Sequence, residues 1–104
     1  MREVALRPRA AHDLESIYLY GALVLHEPQA ASRLVDQLYE AFERLAEFPQ
    51  MGEACDWPEL ENRYRRFLVG KHWVYYTFDD DALTIWRIFH AAEDIDDFAL
   101  LDWE

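Results

Sequence analysis

Residues 63–94 read Arg63-Tyr-Arg-Arg-Phe-Leu-Val-Gly-Lys-His-Trp-Val-Tyr-Tyr-Thr-Phe-Asp-Asp-Asp-Ala-Leu-Thr-Ile-Trp-Arg-Ile-Phe-His-Ala-Ala-Glu-Asp94. Three runs rich in Tyr, Trp, Phe, Val and Ile, at about 63–69, 72–79 and 83–90, are separated by two turn signals, Gly70-Lys71 and Asp79 to Asp81. That composition is what pleated strands prefer, and connections this short predict an antiparallel meander. Simple alternation puts Val74, Tyr76 and Phe78 on one face and Trp73 and Tyr75 on the other. On the third strand it sets Leu83, Ile85 and Phe89 against Trp86 and Ile88. The predicted sheet is apolar on both faces, unlike a half-solvated meander. Two covers are expected for the second face: the sheet's own curl with the C-terminal segment, or a partner chain.

Outward from the sheet, the rest of the chain reads as helix. Residues 3–6 form a short strand candidate, and Pro8 opens a helix that runs to about Leu25. Its stripe is Leu14, Ile17, Tyr18, Gly21 and Leu25. Glu27-Pro28 breaks the helix and restarts it. The second helix runs to about Phe48 with a stripe of Leu34, Leu38, Ala41, Phe42, Leu45 and Phe48, and Pro49 and Gly52 end it. Two long helices joined by two or three residues predict an antiparallel helical hairpin. Residues 53–62 read as an acidic loop, and a short C-terminal helix is expected from Glu93. The fold class is therefore α+β, a single domain over residues 1–104. An N-terminal strand precedes a helical hairpin packed on a mostly antiparallel sheet.

The 104 residues suit one domain, and a hydrophobic fraction of 52% makes folding the default over disorder. The single cysteine, Cys55, excludes an internal disulfide and a cysteine-rich metal site. No apolar run approaches the roughly 18–20 residues of a membrane span, and the N-terminus lacks a signal-peptide core, so a cytoplasmic location is expected. The net charge of −11 argues against generic nucleic-acid binding, which needs a positive field to displace counterions. The charge is uneven: Arg63, Arg65, Arg66 and Lys71 stand together without an acid, and residues 93–104 carry six acids without a base.

Candidate chemistry is sparse. The chain has three glycines, which leaves no glycine-rich phosphate loop, and its two serines, Ser16 and Ser32, fall in helices. No His-x-x-His or His-Glu-x-x-His spacing supports a metal, and no cofactor is expected. His90 ends a strand, where it either bonds to the backbone or acts as a general acid/base with Arg65, Arg66 and Arg87 neutralising a phosphate. Arg87, between Trp86 and Ile88, requires a partner, with Asp13 and Asp94 as candidates.

These residues resemble the RelE/ParE superfamily of bacterial toxins from type II toxin–antitoxin systems, closer to its ParE branch. The first helix is similar to the pattern Pro-x-Ala-x-x-Asp-Leu-x-x-Ile-x-x-Tyr, here Pro8, Ala10, Asp13, Leu14, Ile17 and Tyr20. The helix exit resembles Leu-x-x-x-Pro-x-x-Gly, here Leu45, Pro49 and Gly52. The meander resembles Arg-x-x-x-x-Gly-x-His-x-x-x-Tyr, here Arg65, Gly70, His72 and Tyr76. The last strand resembles Ile-x-Arg-Val-x-His, here Ile85, Arg87, Ile88 and His90, with Asp94 following.

The resemblance implies a cognate antitoxin, a small protein with a DNA-binding head and a tail that wraps the toxin in a hetero-oligomer. For the ParE branch it implies DNA gyrase as the target, with no direct nucleic-acid or membrane binding. Arg63, Arg65, Arg66, His72, Tyr76, Arg87 and His90 are then the residues expected to meet the target or the antitoxin. A RelE-like ribosome-dependent mRNA endoribonuclease using Arg65, Arg66, Arg87 and His90 is the alternative. That branch relies on several lysines and arginines about the sheet, whereas this chain has one lysine. A non-toxic binding module is the second alternative.

Overall fold

The computed structural model of the chain describes residues 2–92. Strand β1 (Glu3–Leu6) leads into helix α1 (Pro8–Leu19), a π-helical turn (Tyr20–Val24) and helix α2 (Pro28–Glu47). Short 3-10 turns at Pro49–Met51 and Pro58–Leu60 flank strand β2 (Glu53–Ala54). Strands β3 (Arg65–Val69), β4 (His72–Phe78) and β5 (Ala82–His90) complete the meander. The sheet order is β1-β5-β4-β3-β2, with β1 parallel to β5 and the other pairs antiparallel. The expected C-terminal helix and the Asp94 candidate lie outside the described residues.

Local chemistry explains the boundaries. Pro8 occupies the first turn of α1, where a missing N–H costs nothing, and Pro28 does the same for α2. Arg7 is the α1 cap residue and makes no side-chain cap bond, so proline geometry alone starts this helix. After Leu19 the helix widens, with Leu25 N–H donating to the Tyr20 carbonyl at 3.0 Å. His26, in the left-handed region at φ 57°, ends it. Gly70, at φ 60°, makes the turn between β3 and β4. Asp79 makes the next turn, its Oδ1 accepting the N–H groups of Asp81 and Ala82, both at 2.8 Å.

The main core lies between the hairpin and one face of the sheet. Leu14 of α1 and Leu38, Phe42 and Leu45 of α2 pack on Val74, Tyr76, Leu83, Ile85 and Ile88. Each such aliphatic or phenyl side chain contributes about 1.5–3 kcal/mol on burial. The helical stripes need correction at their edges. Ala10 and Asp13 are buried, whereas Tyr18, Leu25 and Phe48 are exposed.

Alternation along β5 also differs from the expectation. Tyr75 pairs with Arg87 but Tyr76 pairs with Ile85, so Trp86 is the extra residue of a bulge. The bulge reverses the parity beyond it. Ile88 therefore joins the helix-facing core, and Phe89 joins Trp73, Tyr75 and Trp86 on the second face.

The second face is covered, among the described residues, by the segment read as an acidic loop. Cys55, Tyr64 and Tyr75 form a buried cluster there, with Trp57 and Leu60 packed against it. Trp57 stacks on Tyr75 at 5.7 Å between centroids with the rings 6° apart. Its apolar side chains Cys55, Trp57 and Leu60, not its charge, decide where this segment goes.

Candidate functional site

Arg65 and Tyr76 face each other across β3 and β4 and serve one loop. Arg65 donates from Nε and Nη2 to the Gly52 carbonyl, at 3.1 and 2.6 Å. Tyr76 donates its hydroxyl to the Pro49 carbonyl at 2.5 Å and accepts the Gly52 N–H at 3.1 Å. Burial pushes the Tyr76 hydroxyl above its ordinary pKa, which keeps it a donor. Gly52 is required here: a Cβ would stand 2.4 Å from the Tyr76 hydroxyl and 2.6 Å from the Arg66 carbonyl. Tyr76, expected among the binding residues, is fully buried and bridges the α2 exit to the sheet.

On the second face, arginines lie over aromatic rings. The Arg66 guanidinium sits 4.0 Å from the Trp73 centroid, Arg87 4.4 Å from Phe89, Arg7 5.1 Å from Trp86 and Arg63 5.8 Å from Tyr64. Such pairs contribute about 0.5–2 kcal/mol each, more where water is excluded. Arg66 also donates to Glu53 and, at 3.5 Å, to the Tyr75 hydroxyl. Arg63 donates to the Leu60 carbonyl at 3.3 Å. Cys55 beneath this layer has its thiol pushed up to about 11 by burial, which blunts its nucleophilicity.

Arg87 takes the Asp13 partner expected of it. Nε and Nη2 donate to the two carboxylate oxygens at 2.8 and 3.1 Å, and the Ile88 N–H donates to Asp13 Oδ2 at 2.9 Å. Strand β1 pairs with β5 only as far as Ile85, because the chain turns at Arg7 into α1. Asp13 thus stands where a continuing strand would have satisfied the edge of β5.

His72 and His90 are cross-strand partners at the opposite end of β4 from Arg65, with ring centroids 5.3 Å apart and an interplanar angle of 83°. His90 Nδ1 accepts the Ala92 N–H at 3.1 Å, the backbone arrangement expected for a strand-end histidine. Three residue steps along β4 lead from the His72–His90 pair to Tyr75, the partner of Arg66 and Arg87. At about 3.3 Å per residue that is roughly 10 Å. The four residues of the ribonuclease alternative are therefore spread along the sheet. Three of them are engaged with Gly52, Glu53 and Asp13.

Both histidines instead line a groove of about 700 Å³, with Lys71 beside them. Its apolar wall comes from the hairpin tip, including Ile17, Tyr20, Leu25, Ala31 and Leu34. Gly21 lets the π-helical turn approach α2 there, since a Cβ would stand 2.8 Å from the Ala31 Cβ. Around the tip, Tyr20, Leu23, Val24 and Leu25 are 56, 66, 59 and 51% exposed. Sequence reading placed Leu25 in the core stripe and passed over Leu23 and Val24. The available signal was the charge-free run from Ser16 to Leu25, wider than one buried stripe requires.

The chain matches the family model described as the ParE toxin of type II toxin-antitoxin system, parDE, over residues 4–95. It is 30% identical over 67 residues to Toxin ParE1 of Mycobacterium tuberculosis, a match that covers 64% of this chain and 66%, just under two thirds, of that protein. The fold is similar to a chain of the chromosomal ParDE toxin–antitoxin system of P. aeruginosa, with a TM-score of 0.71 and 21% identity. That likeness covers 86% of this chain and 96% of the other. It is also similar to a chain of the toxin–antitoxin complex RelBE2 of Mycobacterium tuberculosis, with a TM-score of 0.60 and 20% identity over 88% and 93% of the two chains. At these identities the solved structures speak to the fold, with its hairpin on a five-stranded mixed sheet. The match along nearly the whole sequence speaks to descent, and the chain belongs to the ParE toxin family of type II toxin–antitoxin systems.

Proposed function

We propose that this chain inhibits growth by binding and poisoning DNA gyrase, and that a cognate antitoxin neutralises it in a hetero-oligomeric complex in the cytoplasm. The observation that carries the reading is the ParE family match across residues 4–95. The positions of the charged side chains support it. Arg65, Arg66 and Arg87 are engaged by Gly52, Glu53 and Asp13, and His90 stands three positions along β5 from Arg87. A charge of −11 further disfavours a phosphodiester substrate. Action through protein–protein contact fits a surface that offers exposed apolar side chains and stacked arginines.

Induced expression of the chain without its antitoxin is the test in cells. Growth arrest with DNA-damage induction, relieved by supplying the antitoxin, is the expected result. Arrest with intact chromosomes and cleaved mRNA, abolished by His90→Ala in a folded protein, supports the ribonuclease reading instead. Normal growth supports the non-toxic binding module.

A further inference from the structure

Helices α1 and α2 also face each other across a second groove, of about 350 Å³, which shares no lining residue with the one at the hairpin tip. Its two walls repeat one series. Ala11, Glu15 and Tyr18 of α1 and Ser32, Asp36 and Tyr39 of α2 stand at the same i, i+4, i+7 spacing, that of a single helix face. The helices form a hairpin, so the two series lie head to tail. The carboxylates fall at the middle, the tyrosines at opposite ends, and each tyrosine faces a small residue. Tyr18 and Tyr39 are 36 and 48% exposed. Neither Glu15 nor Asp36 takes part in an ion pair among the described residues. His12 and Arg33, next in sequence to Ala11 and Ser32, do not line the groove.

We propose that this groove receives arginine or lysine side chains from a basic segment of the toxin's target, which makes the outer face of the hairpin the surface presented to gyrase. The inference rests on the gyrase reading above. Chemistry selects the occupant. Carboxylates flanked by exposed aromatic rings suit a guanidinium or ammonium group, which takes a charge-assisted hydrogen bond from the first and a ring face from the second. An acidic or uncharged segment leaves both carboxylates uncompensated. Three metal-ligating side chains do not come together among the described residues, so an organic cation suits the pair better than a metal ion. Ala11 and Ser32 leave room beside the rings for the incoming side chain. Over longer range a charge of −11 draws the chain towards cationic surfaces, and an enzyme that handles DNA carries such surfaces to meet phosphates. Along α2 the exposed Glu40, Glu43 and Glu47 extend this field, with Arg44 the base among them. A second copy of the chain, at the same −11, is repelled.

Glu15→Gln combined with Asp36→Asn removes both charges at exposed positions and keeps the shape of the groove. Titration of purified gyrase with the full chain should show this double variant binding about tenfold more weakly, with its melting temperature unchanged. Supercoiling should then be inhibited only at a correspondingly higher concentration, and the affinity should depend less on salt than that of the unaltered chain. Tyr39→Leu should also weaken binding, and Tyr39→Phe should restore it, because a ring face is what the cation requires. Every variant should still form the complex with the product of the adjacent reading frame. Equal potency of the unaltered chain and the double variant on gyrase overturns the groove assignment and leaves the gyrase reading standing. Loss of the adjacent-frame complex in the double variant, with gyrase binding intact, assigns the groove to the antitoxin and overturns it equally. Failure of the unaltered chain to bind gyrase overturns the gyrase reading and this inference with it.

Discussion

Asp13 of α1 grips Arg87 of β5 with both carboxylate oxygens, across 74 positions of sequence, and the two side chains are 11% and 21% exposed. The same carboxylate takes the Ile88 N–H. One residue of the first helix therefore fixes both the edge of the last strand and the guanidinium that lies over Phe89.

Asp13→Ala should cost about 3 kcal/mol of unfolding free energy, because it strands a part-buried guanidinium and a backbone donor together. Arg87→Met alone should cost less, since Asp13 keeps the Ile88 bond. Urea melts of the two single variants and the double variant measure this. The double variant should fall well short of the sum.

Tyr76→Phe removes a hydroxyl that serves Pro49 and Gly52 at once, in a site closed to water. A loss of about 1.5–3 kcal/mol is expected by denaturant titration. Gly52→Ala should be worse, because the colliding groups are a buried hydroxyl and a backbone carbonyl.

The Asp79 turn gives a pH signature. Backbone N–H groups of Ala82 and Asp81 hold its carboxyl below the usual range. A depressed carboxylate contributes stability above its unfolded pKa, near 3.9, and loses that contribution as pH falls through the folded value. Asp79→Ala should therefore lower the urea midpoint at pH 6, and the difference should narrow as pH falls below the unfolded pKa.

Cys55 should resist alkylation in the folded chain. Raising a thiol from 9.0 to about 11 lowers its thiolate fraction near pH 8 by about a hundredfold. Iodoacetamide labelling should accelerate by at least that factor in 6 M guanidinium chloride.

Much of this fold was legible because its signals are short-range. Pro8, Pro28, Pro49, Gly70 and Asp79 punctuate the chain at positions where backbone sterics leave little choice, and the meander follows from the runs between them. The Asp13–Arg87 pair was half legible, since an arginine in an apolar strand requires a carboxylate but does not say which. The Trp86 bulge was not legible, as one extra residue leaves composition unchanged while exchanging the faces of Ile88 and Phe89. Nor was the cover of the second face, where Trp57 outweighs the acids around it. Arg65 donates to the Gly52 and Gln50 carbonyls at the α2 exit, a contact that strand patterning does not reveal. The groove at the hairpin tip escaped because helical periodicity cannot distinguish a stripe facing a sheet from one left exposed.

Purified gyrase with purified toxin decides the central claim. Supercoiling of relaxed plasmid should be inhibited, and cleaved DNA covalently bound to gyrase should accumulate, with both effects abolished by equimolar antitoxin. Unchanged supercoiling and no cleaved complex at a large molar excess of folded toxin would contradict it.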